Sequence, residues 1–201
     1  MAVTAVFFDV GETLIDEQRY WRELALALGT GAHVLWAALG VTIERGEEHT
    51  ELWGHLGIDP PESEPLMYER RDLYPDALPC LEELSARGYF LGIAGNQTVT
   101  LERWARDAEL PVDIVASSAS WGVRKPDPRF FERLIEACDR PAAEIAYIGD
   151  RVDNDVAPAA AAGLVAVHLR RGPWGALQDP SGHPHIGLDS LAELPQALAG
   201  V

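Results

Sequence analysis

Of the 16 basic residues in this 201-residue chain, 15 are arginines and one, Lys125, is a lysine. That lysine sits in the run GVRKPD, among acids and prolines. Three further polar groups stand where apolar runs stop. Asp9 follows VTAVFF, Gly95-Asn96-Gln97 follows YFLGIA, and Asp150, Asp153 and Asp155 lie in GDRVDND after EIAYI. Several carboxylates with one ammonium, and no cluster of cysteines or histidines, make a donor set suited to a hard cation such as Mg²⁺. The lysine then has a purpose, as partner to a phosphate or to a nucleophilic carboxylate. Asp9 is the natural nucleophile, because a carboxylate beside Mg²⁺ and lysine can attack phosphorus and form an acyl phosphate. Asp150 is expected to hold the metal, and Asp155 to be a second ligand or an acid supporting it. Without the cation, several carboxylates and a phosphate would repel one another strongly. Asp153 and Asn154, just ahead of an alanine-rich helix, read as helix caps.

These groups are far apart in sequence, so the fold must gather them. Short apolar runs at 3–8, 89–94, 112–118, 144–148 and 164–169 read as strands. Helical patterns at 77–86, 99–108, 128–138 and 154–162 separate them, and a last helix is expected near 191–198. Strands alternating with helices of this length imply βαβ units and a parallel α/β sheet. The carboxyl ends of parallel strands share one edge, which is where Asp9, Asn96, Lys125 and Asp150 can converge. The stretch from Asp16 to Arg71 breaks the rhythm. It carries helical patterns at 20–40, 43–56 and 64–73, broken at Gly29, Gly31, Gly57 and Pro60-Pro61, and shows no alternating strand. It is expected to be an all-helical insertion, residues 16–71, packed around Trp21, Trp36 and Trp53 and lying over the site. Residues 1–15 and 72–201 form the core. The glycine- and proline-rich run RRGPWGALQDPSGHPH is expected to be a loop.

Composition narrows the class of partner. With 32 acidic residues the formal charge is −16, and 47% of residues are hydrophobic. Such an excess of negative charge disfavours nucleic acid and anionic lipid. The start, MAVTAVFFDV, reads as a buried strand and not as a signal peptide, and Cys80 and Cys138 read as buried thiols. The expectation is a cytoplasmic protein with a small-molecule substrate, no nucleic acid and no membrane, as a monomer or homodimer.

The motifs FFDVGETLID, LGIAGNQ, VRKPDPRFF and YIGDRVDNDVAPAAAAG resemble those of the haloacid-dehalogenase-like hydrolase superfamily, over essentially the whole chain. The resemblance implies a Rossmann-like core with a small helical cap inserted after the first strand. It also implies an aspartyl-phosphate mechanism, with Asp9 attacking a phosphoryl group and Lys125 steadying nucleophile and transferring oxygens. Mg²⁺ would bridge Asp9, the main-chain carbonyl of Gly11, Asp150 and the phosphate, with Asp155 in support.

Two departures stand out against that pattern. The family's phosphatases usually carry a second aspartate two residues after the nucleophile, to protonate the leaving group and activate water. Here that residue is Gly11. General acid–base catalysis is typically worth about 10²–10⁴-fold, so turnover is expected to be slow unless Glu12 or a cap histidine (His33, His49 or His55) supplies the proton. The second is Gly95, where a serine or threonine usually binds phosphate, leaving the main-chain N–H groups of Gly95 and Asn96 for that task. Phosphonate hydrolysis needs a cap lysine, which this chain lacks. Dehalogenation fits poorly with the acids at 150 and 155. The expected function is slow or atypical Mg²⁺-dependent hydrolysis of a small phosphate monoester. A weakly catalytic or inactive protein binding a phosphorylated ligand is the alternative. Substrate choice is expected to involve Trp21, Trp36, Trp53, Arg22 and Trp174.

Overall fold

Residues 5–8 pair on both sides, which makes the first strand the middle of the sheet. In the computed structural model, which describes residues 2–61 and 68–201, β1 (Ala5–Phe8) leads into α1 (Gln18–Ala27), α2 (Ala32–Glu44) and α3 (Leu52–Leu56). Then follow α4 (Ala77–Ala86), β2 (Phe90–Gly95), α5 (Thr100–Asp107), β3 (Ile114–Ser117), α6 (Ser118–Trp121) and α7 (Pro128–Cys138). The chain continues through β4 (Ile145–Gly149), α8 (Ala157–Ala161), β5 (Val165–Leu169), α9 (Gly172–Leu177), β6 (Ile186–Leu188) and α10 (Leu194–Leu198). The strands form one parallel sheet in the order β3-β2-β1-β4-β5-β6. Phe8 lies level with Ile93 on one side and Ile148 on the other. Asp9 therefore emerges between the ends of β2 and β4, at the point where the strand order reverses and parallel sheets bind ligands.

The apolar run of β1 is unbroken because both faces of the sheet are covered. Val6 and Phe8 pack with Leu81, Leu84, Leu91 and the C-terminal Leu194 and Leu198. Ala5 and Phe7 pack with Phe130, Phe131 and Tyr147. Helix α7 shows how sequence fixes one wall. The Asp127 carboxylate accepts the Arg129 N–H, Pro128 opens the helix, and Phe130, Phe131, Leu134 and Cys138 form its buried stripe. Cys80 and Cys138 are buried free thiols.

The helical insertion has its own apolar centre. Trp21, Leu24, Leu35, Leu39, Ile43 and Leu52 cluster there together with Trp174 of α9, so the insertion rests on the core through that tryptophan. At its root, Ile15 bridges Gly11 and Leu73, Asp16 N–H donates to the Asp72 carbonyl (2.8 Å), and Tyr74 N–H to the Leu14 carbonyl (2.9 Å). No single described helix is long and apolar enough to cross a membrane.

Four expectations need correction. The helix expected at 43–56 is two pieces: α2 ends at Glu44, Gly46 turns the chain at φ +65°, and a 3₁₀ turn at His49–Glu51 leads into α3. Gly46 N–H closes on the Ile43 carbonyl and Glu47 N–H on that of Thr42, the usual way a glycine ends a helix. In the expected 64–73 helix, residues 62–67 lie outside the described part and Arg70–Asp72 make a 3₁₀ turn. The helix expected from 154 opens with a wide π turn, Val152–Val156, before α8. The expected loop at 170–185 contains α9, and the edge strand β6 follows it. Both are short, and α9 holds two glycines and a proline, so neither carries a legible period.

Candidate active site

The turn after β1 is wound around one carbonyl. The N–H groups of Thr13, Leu14 and Ile15 converge on the Val10 oxygen at 3.3, 2.9 and 2.9 Å, and Glu12 takes a left-handed φ of 51°. This holds Asp9 at the mouth of the sheet, 13% exposed, with Oδ1 2.8 Å from Lys125 Nζ. Gly95 lies directly beneath. A Cβ there would stand 2.5 Å from Asp9 Oδ1, so the carboxylate occupies the space a serine or threonine would need.

Lys125 is 2% exposed and its Nζ also stands 2.5 Å from Asp155 Oδ1 and 5.3 Å from the centre of the Tyr147 ring. Burial alone would lower its pKa, but Asp155 and Asp9 outweigh burial and hold it well above the usual value. The backbone of Lys125 is gripped by one side chain. Asn96 donates from Nδ2 to the Lys125 carbonyl (2.9 Å) and accepts the Lys125 N–H at Oδ1 (2.8 Å). The Asn96 carboxamide is thus committed to placing the lysine, a role sequence reasoning missed.

Asp155 is fully buried. Its Oδ2 accepts the Arg151 N–H at 3.0 Å across the π turn, which tucks the carboxylate under the end of β4. Gly149 is required there, since a Cβ would overlap the Asp155 carboxylate. His168 Nε2 lies 3.1 Å from the Asp150 carbonyl oxygen. Burial first, then the charges of Asp155 and Asp9, push Asp150 well above the carboxylate range. Burial likewise raises Asp155 to about 6, although Lys125 opposes it. Carboxylate oxygens of Asp9, Asp150 and Asp155 all lie within 4.8 Å of one another. Three crowded carboxylates against one ammonium leave negative charge that a hard, oxygen-seeking cation neutralises, so the residues present fit a divalent metal.

Asp9, Lys125 and Asp150 open onto a cavity of about 170 Å³ whose wall also includes Gly11, Glu12, Glu17, Asn96 and Gln97. From the insertion come Trp21, Leu39 and His49, and from the core Arg124, Arg151 and Trp174. Glu12 has both oxygens engaged: Oε2 accepts from Tyr74 OH (2.5 Å) and Oε1 from Glu17 N–H (3.2 Å). Burial, reinforced by the Glu17 charge, pushes it up to about 7. Of the three candidate histidines only His49 reaches the cavity; His33 is exposed, and His55 bonds Glu47 at 2.6 Å. Among the substrate-facing candidates Trp21 and Trp174 line the wall. Trp36 and Trp53 pack inside the insertion, and Arg22 is exposed beside Glu23. Asp153 does not cap α8, which has no side-chain cap. It pairs with Arg151 (2.6 Å), whose guanidinium stacks 3.6 Å from the Trp174 ring centre. Gln97 lies beside Asn96 at the end of β2 as the sequence pattern places it, whereas Glu17 and Arg151 were not anticipated, since the place of each depends on the tertiary fold.

The model of the haloacid dehalogenase-like hydrolases matches residues 3–163. The chain belongs to this family. It has the parallel core and the helical insertion after β1 that the family's fold shows. A glyceraldehyde 3-phosphate phosphatase of Methanocaldococcus jannaschii is 31% identical over 125 residues, 60% of this chain and 54% of that protein. A phosphoserine phosphatase of Thermus thermophilus is 32% identical over 137 residues, 66% of this chain and 54% of that protein. The chain spans about half the length of the curated relatives it matches. Among solved structures, the L-2-haloacid dehalogenase of Xanthobacter autotrophicus superposes with a TM-score of 0.74 at 21% identity, covering 99% of both chains. A HAD phosphatase from Thermococcus onnurineus gives 0.68 at 23% identity, covering 98% and 99%. These two likenesses establish the shared fold.

Proposed function

We propose that this chain is a Mg²⁺-dependent phosphatase of the family, hydrolysing a small phosphate monoester through a phosphorylated Asp9. The observation that carries the reading is the buried Asp9–Lys125–Asp155 contact with Asp150 alongside. Lys125 holds Oδ1 of Asp9, so Oδ2 is the oxygen free to attack phosphorus. The ester P–O bond breaks as the Asp9 O–P bond forms. Water then attacks the same phosphorus and frees Asp9. Asp150, Asp9 and the Gly11 carbonyl would hold Mg²⁺, which neutralises the meeting anions and polarises the phosphoryl oxygens when bound. Lys125 and the main-chain N–H groups of Gly95 and Asn96 would face the transferring oxygens, and Asp155 would hold Lys125 and the turn carrying Asp150. We take residues 16–71 as the cap and 1–15 with 72–201 as the core.

The phosphatases among the relatives favour a phosphate ester over a carbon–halogen bond, as do the carboxylates at 150 and 155, which suit a cation. Hydrolysis of 4-nitrophenyl phosphate with and without Mg²⁺, beside Asp9→Asn, tests the proposal. Turnover that needs the metal and vanishes in the variant is expected. Equal rates for the two proteins would overturn it.

A further inference from the structure

Gly11 removes the carboxyl that normally protonates the leaving group, but the space it vacates is filled. A Cβ built on Gly11 would stand 2.5 Å from Glu17 Oε1 and 2.9 Å from its Cδ, so the Glu17 carboxyl lies where a side chain at position 11 would be. It faces the same cavity as Asp9 and Asp150. Its setting is built: Tyr68 OH donates to Oε1 (2.7 Å) and Trp21 Nε1 to Oε2 (3.3 Å), both from the cap. Its backbone N–H is held by Glu12 Oε1. Glu12, the nearer carboxyl in sequence, also borders the cavity, but one of its oxygens is spent on the Glu17 N–H. Its other oxygen is taken by Tyr74, and its Cγ crowds Gly172, where a Cβ would lie 2.6 Å away.

We infer that Glu17 is the acid–base catalyst of this site, supplying from the start of the cap the carboxyl that position 11 lacks, with Glu12 as its positioning residue. The inference rests on the phosphatase reading above. In the first step the Asp9 carboxylate forms a bond to phosphorus, the ester P–O bond breaks, and the departing oxygen takes the proton of the Glu17 carboxylic acid. In the second, water attacks phosphorus and gives its proton to the Glu17 carboxylate, and the Asp9–phosphorus bond breaks. Inorganic phosphate leaves, and both side chains return to their starting states.

The test uses the full chain with Mg²⁺ and aryl phosphates of graded leaving-group acidity. Glu17→Gln keeps an acceptor oxygen for Tyr68 and gives up only the longer bond from Trp21 Nε1. It is expected to lower kcat for phenyl phosphate about 100-fold or more, and less for 2,4-dinitrophenyl phosphate, whose leaving group needs no proton. With the latter, phosphorylated Asp9 should accumulate, since water attack lacks its base. Glu12→Gln, at a residue that acts through Glu17, should lose less activity than Glu17→Gln but in the same order, most for phenyl phosphate and least for 2,4-dinitrophenyl phosphate. Moving the carboxyl back, in Gly11→Asp/Glu17→Ala, should recover at least about tenfold over Glu17→Ala alone. A Glu17→Gln variant within threefold of wild type, or a loss with no dependence on leaving group and no trapped phosphoenzyme, would overturn the assignment. Failure of the wild type to phosphorylate Asp9 would instead overturn the phosphatase reading and this inference with it.

Discussion

Replacing Lys125 by Met removes the one cation that sits between Asp9 and Asp155 and leaves three carboxylates within 4.8 Å of each other. At that separation each pair of full charges repels by about 3.5 kcal/mol with an effective dielectric of 20. Breaking a buried ion pair from one side typically costs about 3–5 kcal/mol. For a domain this size 1 kcal/mol moves Tm by about 2–4 °C, so a fall of roughly 6–20 °C is expected at pH 8. The fall should shrink at acid pH. A carboxyl whose folded pKa is raised, as Asp155 is to about 6, contributes stability that is present below its unfolded pKa and lost as pH rises through the folded one. Without Lys125 that folded pKa climbs further, so the loss relative to wild type is greatest above it and fades as the acids protonate. Mg²⁺ at a hundredfold excess over its Kd should raise the variant's own stability by about 2.7 kcal/mol. Scanning calorimetry at pH 5 and 8, with and without Mg²⁺, measures all of this. A shift under about 2 °C at pH 8, or one that does not shrink at pH 5, would refute the reasoning.

Gly92→Ala forces a methyl into the Phe7 ring and should cost about 1–3 kcal/mol, read as a lower urea midpoint at unchanged slope. Gly95→Ser, the residue type that the family resemblance implies at this position, should lower kcat and not raise it, because its Cβ would stand 2.5 Å from Asp9 Oδ1; steady-state kinetics with an aryl phosphate decides. Asp76 is partly buried, which raises its pKa, but Arg171, the Ser190 hydroxyl and the Leu191 N–H outweigh burial and hold it below the usual value. Its stabilisation is therefore full above pH 4 or so and lost as pH falls through the depressed folded value, so acid unfolding should be shallower in Asp76→Asn.

Asp9, Lys125, Asp150 and Asp155 were legible because each closes a buried run or stands out by type, and a parallel sheet has one edge at which such residues can meet. The same logic identified the five longer strands, the four inner ones and the edge strand β3. It failed at β6, whose three residues are too few to show a period. It failed too for the groups that act across the chain. Asn96 reads as a phosphate-side residue until its carboxamide is seen to grip Lys125, 29 residues away. Glu17 gives no signal in the sequence, because Tyr68, which fixes it, is 51 residues further on. Gly11 and Gly95 look in sequence like lost functional groups. In three dimensions each is the empty position into which a carboxylate, Glu17 or Asp9, leans.

The central claim is that Asp9 becomes covalently phosphorylated. The direct measurement is a rapid acid quench of the Mg²⁺-loaded enzyme with 2,4-dinitrophenyl phosphate, followed by peptide mass spectrometry. The account predicts a transient single phosphoryl group on the peptide containing Asp9, absent in Asp9→Asn. Phosphate release with no label on that peptide at any quench time would contradict it.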